Sequence, residues 1–260
     1  MIGTVILLFW IIMALFGSRI TPYGINDSDA GQVWKPPSAK HIMGTDDLGR
    51  DIFSRLIIGS QTMVLLPPLA VAIAVICGTA IGLITGYRRG WFDEIVMRFM
   101  DVMMAFPVVM LYLLIIVAIG PAAWTVVLAV AVASTPAISR LVRGLVLDLR
   151  NREFVAAAQM RGESTRYILF REILPNATGP ILVDALVRIG YAAFAIGALG
   201  FLGLGVPPPN PDWGRMAFEA RQAIILTPTA ALFPALAIGT LVIAFNLIAD
   251  GLTAAAKREE

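Results

Sequence analysis

Apolar residues gather into six stretches, at roughly 1–17, 62–86, 101–120, 122–139, 180–203 and 230–253, separated by segments where the charges collect. A helix of ~20 residues crosses a hydrocarbon core about 30 Å thick, and each stretch reaches or approaches that length. The pattern predicts an all-α polytopic membrane protein with six spans in a single domain over 1–260. The first stretch begins without a charged lead. It lacks the basic n-region and small-x-small site of a signal peptide, so it is expected to be a span whose cytoplasmic lead is very short or absent from this chain.

The polar segments are of two kinds. Two of them are outer loops: 18–61 is rich in Gly, Pro and Asp, and 204–229 opens on a run of prolines. The segment 140–179 instead holds a helix-competent island, Arg150–Pro175, reading RNREFVAAAQMRGESTRYILFREILP. Its turn signals predict two short helices. Asn151 caps the first and Gly162 ends it; Ser164 caps the second, and Leu174-Pro175 stops it. A structured, Arg-rich helical pair between two spans suits a soluble partner, although a hairpin that only covers span ends fits the same pattern.

Composition agrees with a membrane protein: 58% of residues are hydrophobic and 15% charged, against about 45–50% and 25% in soluble domains. A net charge of +2 gives no case for nucleic acid. The single cysteine, Cys77, excludes an intrachain disulfide, and no lysine follows a glycine, so no P-loop is present. With loops 87–100 and 140–179 and the C-terminus on the cytoplasmic side, 12 of the 20 Lys and Arg lie inside. The positive-inside rule favours that orientation.

Several smaller features carry expectations. Asp46, Asp47 and Asp51 crowd around Arg50, with Arg55 following. A loop with internal ion pairs is preferred over a calcium site, because the spacing is not that of an EF-hand. His41, the sole histidine, is expected at the surface, and no constellation of metal ligands is present. The run Pro207-Pro208-Pro209-Asn210-Pro211 excludes helix, Trp213 suits a membrane interface, and PDWGRMAFEARQAI reads as a short amphipathic helix across the outer mouth. Asp184 and Arg188, i and i+4, form an ion pair near the start of the fifth span; Asn246 and Asp250 repeat the spacing in the last. The stretch Met97–Met110 holds five methionines. Met103, Met104, Phe106, Asp184 and Arg188 are candidate pore or gate residues, with ordinary helix packing and a structural ion pair as the preferred readings. Gly78, Gly82 and Gly86 permit close helix approach.

Three segments in order carry a resemblance. The island places Ala156, Ala157, Ala158, Gly162 and Leu174-Pro175 on the Glu-Ala-Ala…Gly…Leu-Pro loop of importer permeases, with alanine at the glutamate position and Glu153 one helical turn earlier. GTDDLGRDIFSRLIIGSQTMV (Gly44–Val64) and FLGLGVPPPNPDWGRM (Phe201–Met216) are the other two. Over nearly its whole length the chain resembles a permease subunit of the dipeptide/oligopeptide/nickel family of ATP-binding-cassette (ABC) importers.

The resemblance implies a type I permease fold in a bacterial inner membrane. It also implies a pore shared with a second, related permease, two ATP-binding subunits that hold ATP and Mg²⁺, and an extracytoplasmic substrate-binding protein. No cofactor is then bound by this chain, which is not itself an enzyme. In the family the island is a coupling helix docked on the ATPase, to which Glu153, Phe154, Ala156, Ala157, Ala158, Arg161, Gly162, Leu174 and Pro175 are carried over. Arg161 and Arg166 are expected to meet partner carboxylates, Phe154 and Met160 to fill apolar pockets, and the small alanines to allow close approach. The cargo implied is a short peptide, a nickel chelate or a similar solute.

Two rival classes fit less well. An ion-coupled secondary transporter calls for coupling-ion sites and inverted repeats with broken helices. An intramembrane enzyme calls for a catalytic constellation such as H-E-x-x-H or G-x-S-x-G, and neither occurs.

Overall fold

The computed structural model describes residues 1–256; Lys257 and Arg258, counted above with the inner charges, lie outside the described residues. Among the described residues the secondary structure is helical, without strands. Five helices are long and apolar enough to span: α1 (Ile2–Ile20), α2 (Ile52–Arg88), α5 (Ala123–Leu149), α8 (Leu174–Phe201) with the turns preceding it, and α10 (Pro228–Ala256). The remaining apolar segment is a pair, α3 (Trp91–Ala105) and α4 (Val108–Ile119), bent by 96°, which has the form of a broken span or a re-entrant loop. The short helices are α6 (Glu153–Met160), α7 (Thr165–Tyr167) and α9 (Trp213–Ala220).

The bend replaces the single span expected at 101–120, and its cause is local. Phe106 precedes Pro107 and is held extended at φ −74°, ψ 139°, because the proline ring disfavours helical geometry one residue earlier. Hydropathy averages over such a break, so the window missed it.

The longest helix interface is between α2 and α5. A Cβ on Gly78, Gly82 or Gly86 would come within 2.7, 2.6 and 2.8 Å of Ile138, Val142 and Val146. The glycine stripe thus seats a row of branched side chains in the same subunit. This contact explains why α5 continues to Leu149 instead of ending near 139. Beyond the expected boundary, Val142 and Val146 stay fully buried, while Arg143 makes a paired hydrogen bond to Asp93 of α3, both contacts 2.6 Å.

The end bearing the Arg-rich island is called inner and the opposite end outer. At the outer end α2 starts at Ile52 rather than near 62, because Asp51 caps it. The Asp51 carboxylate accepts from Ser54 N–H at 2.8 Å and from His41 Nδ1 at 2.9 Å. His41 is therefore buried, contrary to the surface expectation. The aspartate cluster is a set of ion pairs, as expected: Arg50 binds Asp46 and Asp47 at 2.7 and 3.1 Å, and Arg55 reaches Asp46 at 3.4 Å. Trp213 is no interface anchor. It is fully buried, donates from Nε1 to the Leu56 carbonyl at 2.8 Å, and its ring lies 4.7 Å from that of Trp10.

Candidate coupling hairpin and translocation face

The hairpin is built by its end signals. The first helix, α6, starts after Arg152 with no side-chain cap; Asn151 instead donates back to the Leu147 carbonyl, so its expected capping role is not observed. Gly162 at φ +78° ends it. Gly162 N–H bonds the Gln159 carbonyl at 3.0 Å and Glu163 N–H the Ala158 carbonyl at 3.2 Å, the pair of bonds by which a left-handed glycine closes a helix. Ser164 then accepts from Tyr167 N–H and caps α7.

Leu174-Pro175 does not stop the second helix. Thr165–Phe201 is one uninterrupted 37-residue helix. A π-helical stretch, Ile168–Ile173, precedes the proline. Pro175 cannot donate to the carbonyl four residues back and its ring crowds that carbonyl. Widening the turn ahead of it accommodates both effects, and Asn176 Nδ2 supplies a donor to the Glu172 carbonyl at 2.6 Å. Leu174 is half-buried and Pro175 exposed.

One face of α6 is committed to its own chain. Val155 and Ala158 are fully buried with Ile168 and Ile173, so Ala158 cannot serve the close partner approach expected of all three alanines. Glu153 and Ala156 are exposed, three residues apart on the opposite face; Ala157 and Phe154 are half-buried, and Met160 is 84% exposed. Arg161 is occupied within the hairpin by Glu172 at 3.3 Å and Glu163 at 3.8 Å. Its guanidinium bridges the two arms while its side chain stays about half exposed (53%). Arg150 anchors the base, donating to the Tyr87 carbonyl at 2.9 Å.

The pore candidates do not converge. Asp184 and Arg188 pair along α8, with their side chains about a quarter exposed (26% and 24%). Met103 and Met104 sit in the last turn of α3 and Phe106 at the bend; Met103 is half-buried and the other two exposed. A cleft of about 220 Å³ between α4 and α8, lined by Tyr112, Tyr191 and Phe194 among others, contains none of the five. These aromatics were not singled out from sequence, since tyrosine and phenylalanine inside apolar runs look like packing.

At the outer end Asp212 caps α9. It accepts from Arg215 N–H at 2.9 Å and Val206 N–H at 3.0 Å. Burial raises its pKa even though those N–H groups pull the other way. The loop 21–51 closes over α9 through Thr227 to the Trp34 carbonyl at 2.9 Å and through Arg50, 3.9 Å from Glu219.

Known proteins match this arrangement. Residues 78–259 fit the family described as "Binding-protein-dependent transport system inner membrane component". The chain belongs to this family. It is 39% identical, over 96% of its length and 83% of the relative's, to the dipeptide transport system permease protein DppC of Alkalihalophilus pseudofirmus. It is 41% identical to the glutathione transport system permease protein GsiD of Pectobacterium atrosepticum, covering 94% of this chain and 82% of that one. The same identity holds against GsiD of Escherichia coli O6:K15:H31, with 97% and 84% covered. A solved inward-facing MetNI methionine ABC transporter matches the fold, with TM-score 0.60 and 14% identity over 76% of this chain and 95% of that one. The permease reading therefore stands over the self-sufficient carrier, and the chain is the membrane component of an ABC importer.

Proposed function

We propose that this permease forms half of the pore of an importer for short peptides or peptide-like thiols in a bacterial inner membrane. The observation that carries the proposal is the hairpin: an exposed α6 face closed at Gly162 and fused without a break to the helix that ends at the outer mouth. Such a hairpin transmits motion from a soluble subunit into the membrane. Two ATP-binding subunits, holding ATP and Mg²⁺, sit beneath it, a second permease faces the α4–α8 cleft, and a substrate-binding protein meets the α9 cap. The cargo class is supported by the relatives named for dipeptide and glutathione transport.

Purification of the tagged chain from its native membrane in mild detergent, with quantitative identification of its companions, tests the assembly. A second permease and two ATP-binding subunits at fixed ratio are expected. A chain that purifies alone from membranes in which transport is intact overturns the reading. Uptake of labelled dipeptide and labelled glutathione by cells with and without the gene then tests the cargo, and unchanged uptake of both removes that class.

A further inference from the structure

Away from the hairpin tip, the inner half carries a groove between α2 and the α7–α8 helix. Its lower part, about 510 Å³, is lined by Leu83, Ile84, Phe92 and Phe170, with Arg88 and Arg166. Its upper part, about 440 Å³, continues over Ile76, Thr178 and Leu182. Ala80, Leu83 and Phe170 line both parts, so the two form one channel along the helices. The walls are almost wholly apolar.

Of the inner-end arginines that make no ion pair among the described residues (Arg88, Arg89, Arg98, Arg166 and Arg171), only Arg88 and Arg166 line the groove. At the inner end Arg140, Arg143, Arg152 and Arg161 are each paired with a carboxylate, and Arg150 holds a carbonyl. Arg88 and Arg166 are exposed and make no ion pair among the described residues. Arg166 also sits in the first turn of a long helix, where the macrodipole disfavours a cation; a bound anion there relieves both charges. The hairpin does not cover the groove, because α6 packs on Ile168 and Ile173 and leaves Thr165, Arg166 and Phe170 facing it.

A long apolar trough that ends in two guanidinium groups without an ion pair matches one kind of molecule. We infer that the groove is a binding site for an anionic phospholipid of the inner leaflet. Its acyl chain lies along Ile76, Ala80 and Leu182, and its phosphate is held by Arg88 and Arg166. Guanidinium groups bind phosphate oxygens in a forked geometry that an ammonium lacks, and basic pockets between helices at this depth suit acidic headgroups. The lipid then bridges the last turn of α2 and the first turn of α7, bracing the root of the hairpin. The inference needs only the inner location of this end and is independent of the transported solute.

The test uses the assembled complex in nanodiscs of mixed phosphatidylglycerol and phosphatidylcholine, with native mass spectrometry counting retained lipid. Phosphatidylglycerol is expected to be retained beyond its share of the bilayer. In the double variant Arg88→Gln/Arg166→Gln its relative affinity falls about 25-fold, about fivefold per arginine, with phosphatidylcholine unchanged. Ala80→Trp, which fills the trough while leaving both arginines, is expected to release the same lipid with the subunits still assembled. Retention of phosphatidylglycerol at its bulk share in the native complex, or at the native level in either variant, overturns the site. So does protection of both arginines by an ATP-binding subunit that displaces lipid from them.

Discussion

A single carboxylate organises the outer mouth. Asp212 uses one oxygen to start α9 and the other to hold Val206, and it leaves no room for a side chain at Gly200, whose added Cβ would overlap it. Asn in its place keeps one acceptor and turns an NH₂ group toward a backbone N–H. Asp212→Asn is therefore expected to cost about 1–3 kcal/mol, the penalty of an unsatisfied buried donor. Thermal unfolding of the purified complex reads this out, and an unchanged midpoint would show that neither bond matters. At the other end Gly162 poses a purely conformational problem: nothing lies within 4 Å of an added Cβ, yet φ is +78°. Valine at this position is expected to lower uptake roughly tenfold, in line with about 1–2 kcal/mol for a left-handed residue with a Cβ. Asn, which visits that region readily, is expected to keep most of it. Equal uptake by the two variants would detach the glycine from coupling.

At the scale of elements, the α2–α5 seam sets how the bundle is held. Gly82→Ala would place a methyl 2.6 Å from the Val142 Cβ, and overpacking of this kind costs roughly 1–3 kcal/mol. A lower unfolding midpoint for the variant is the expected result; a rise would mean that the helices separate at no cost. The glycine stripe was legible in the sequence because four-residue spacing has a single geometric meaning on a helix. Its partner row was not, since Val142 and Val146 follow Arg140 in a segment whose charges place it outside the membrane. The same limit hid the Arg143–Asp93 bond, which joins residues fifty apart. Span existence, the Gly162 turn, the Ser164 cap and α9 were readable from local chemistry. The Phe106–Pro107 bend and the passage of helix through Pro175 were misread, because a proline's effect depends on whether the neighbouring turn can widen. His41 and Trp213 were assigned to surface and interface for a related reason. Burial of a residue able to hydrogen-bond depends on a distant partner, here Asp51 and the Leu56 carbonyl.

Over the whole molecule the two ends differ in electrostatic character. The outer cap concentrates Asp46, Asp47 and Glu219 around two arginines, and burial, followed by repulsion from Asp46 and Glu219, raises the Asp47 pKa. A raised acid pKa means that the folded state holds the proton more tightly than the unfolded one. The stability contributed is complete below the unfolded value and is lost as pH rises through the folded value. Asp47→Asn is thus expected to narrow the difference in unfolding midpoint between mildly acidic and neutral pH. An unaltered difference would remove Asp47 from the response. The inner end instead presents the hairpin, and the helix from Thr165 to Phe201 joins the two ends. At 1.5 Å per residue that helix is about 55 Å long. It acts as a beam with the hairpin at one tip and the Gly200–Asp212 contact at the other. On the proposed coupling role, a tilt imposed on such a beam at the hairpin is felt at the outer mouth as well, so the two ends cannot be moved independently. The π-helical turn at Ile168–Ile173 and the interior Pro180 are the places where it can flex, so their stiffness governs how much of a tilt at one end reaches the other.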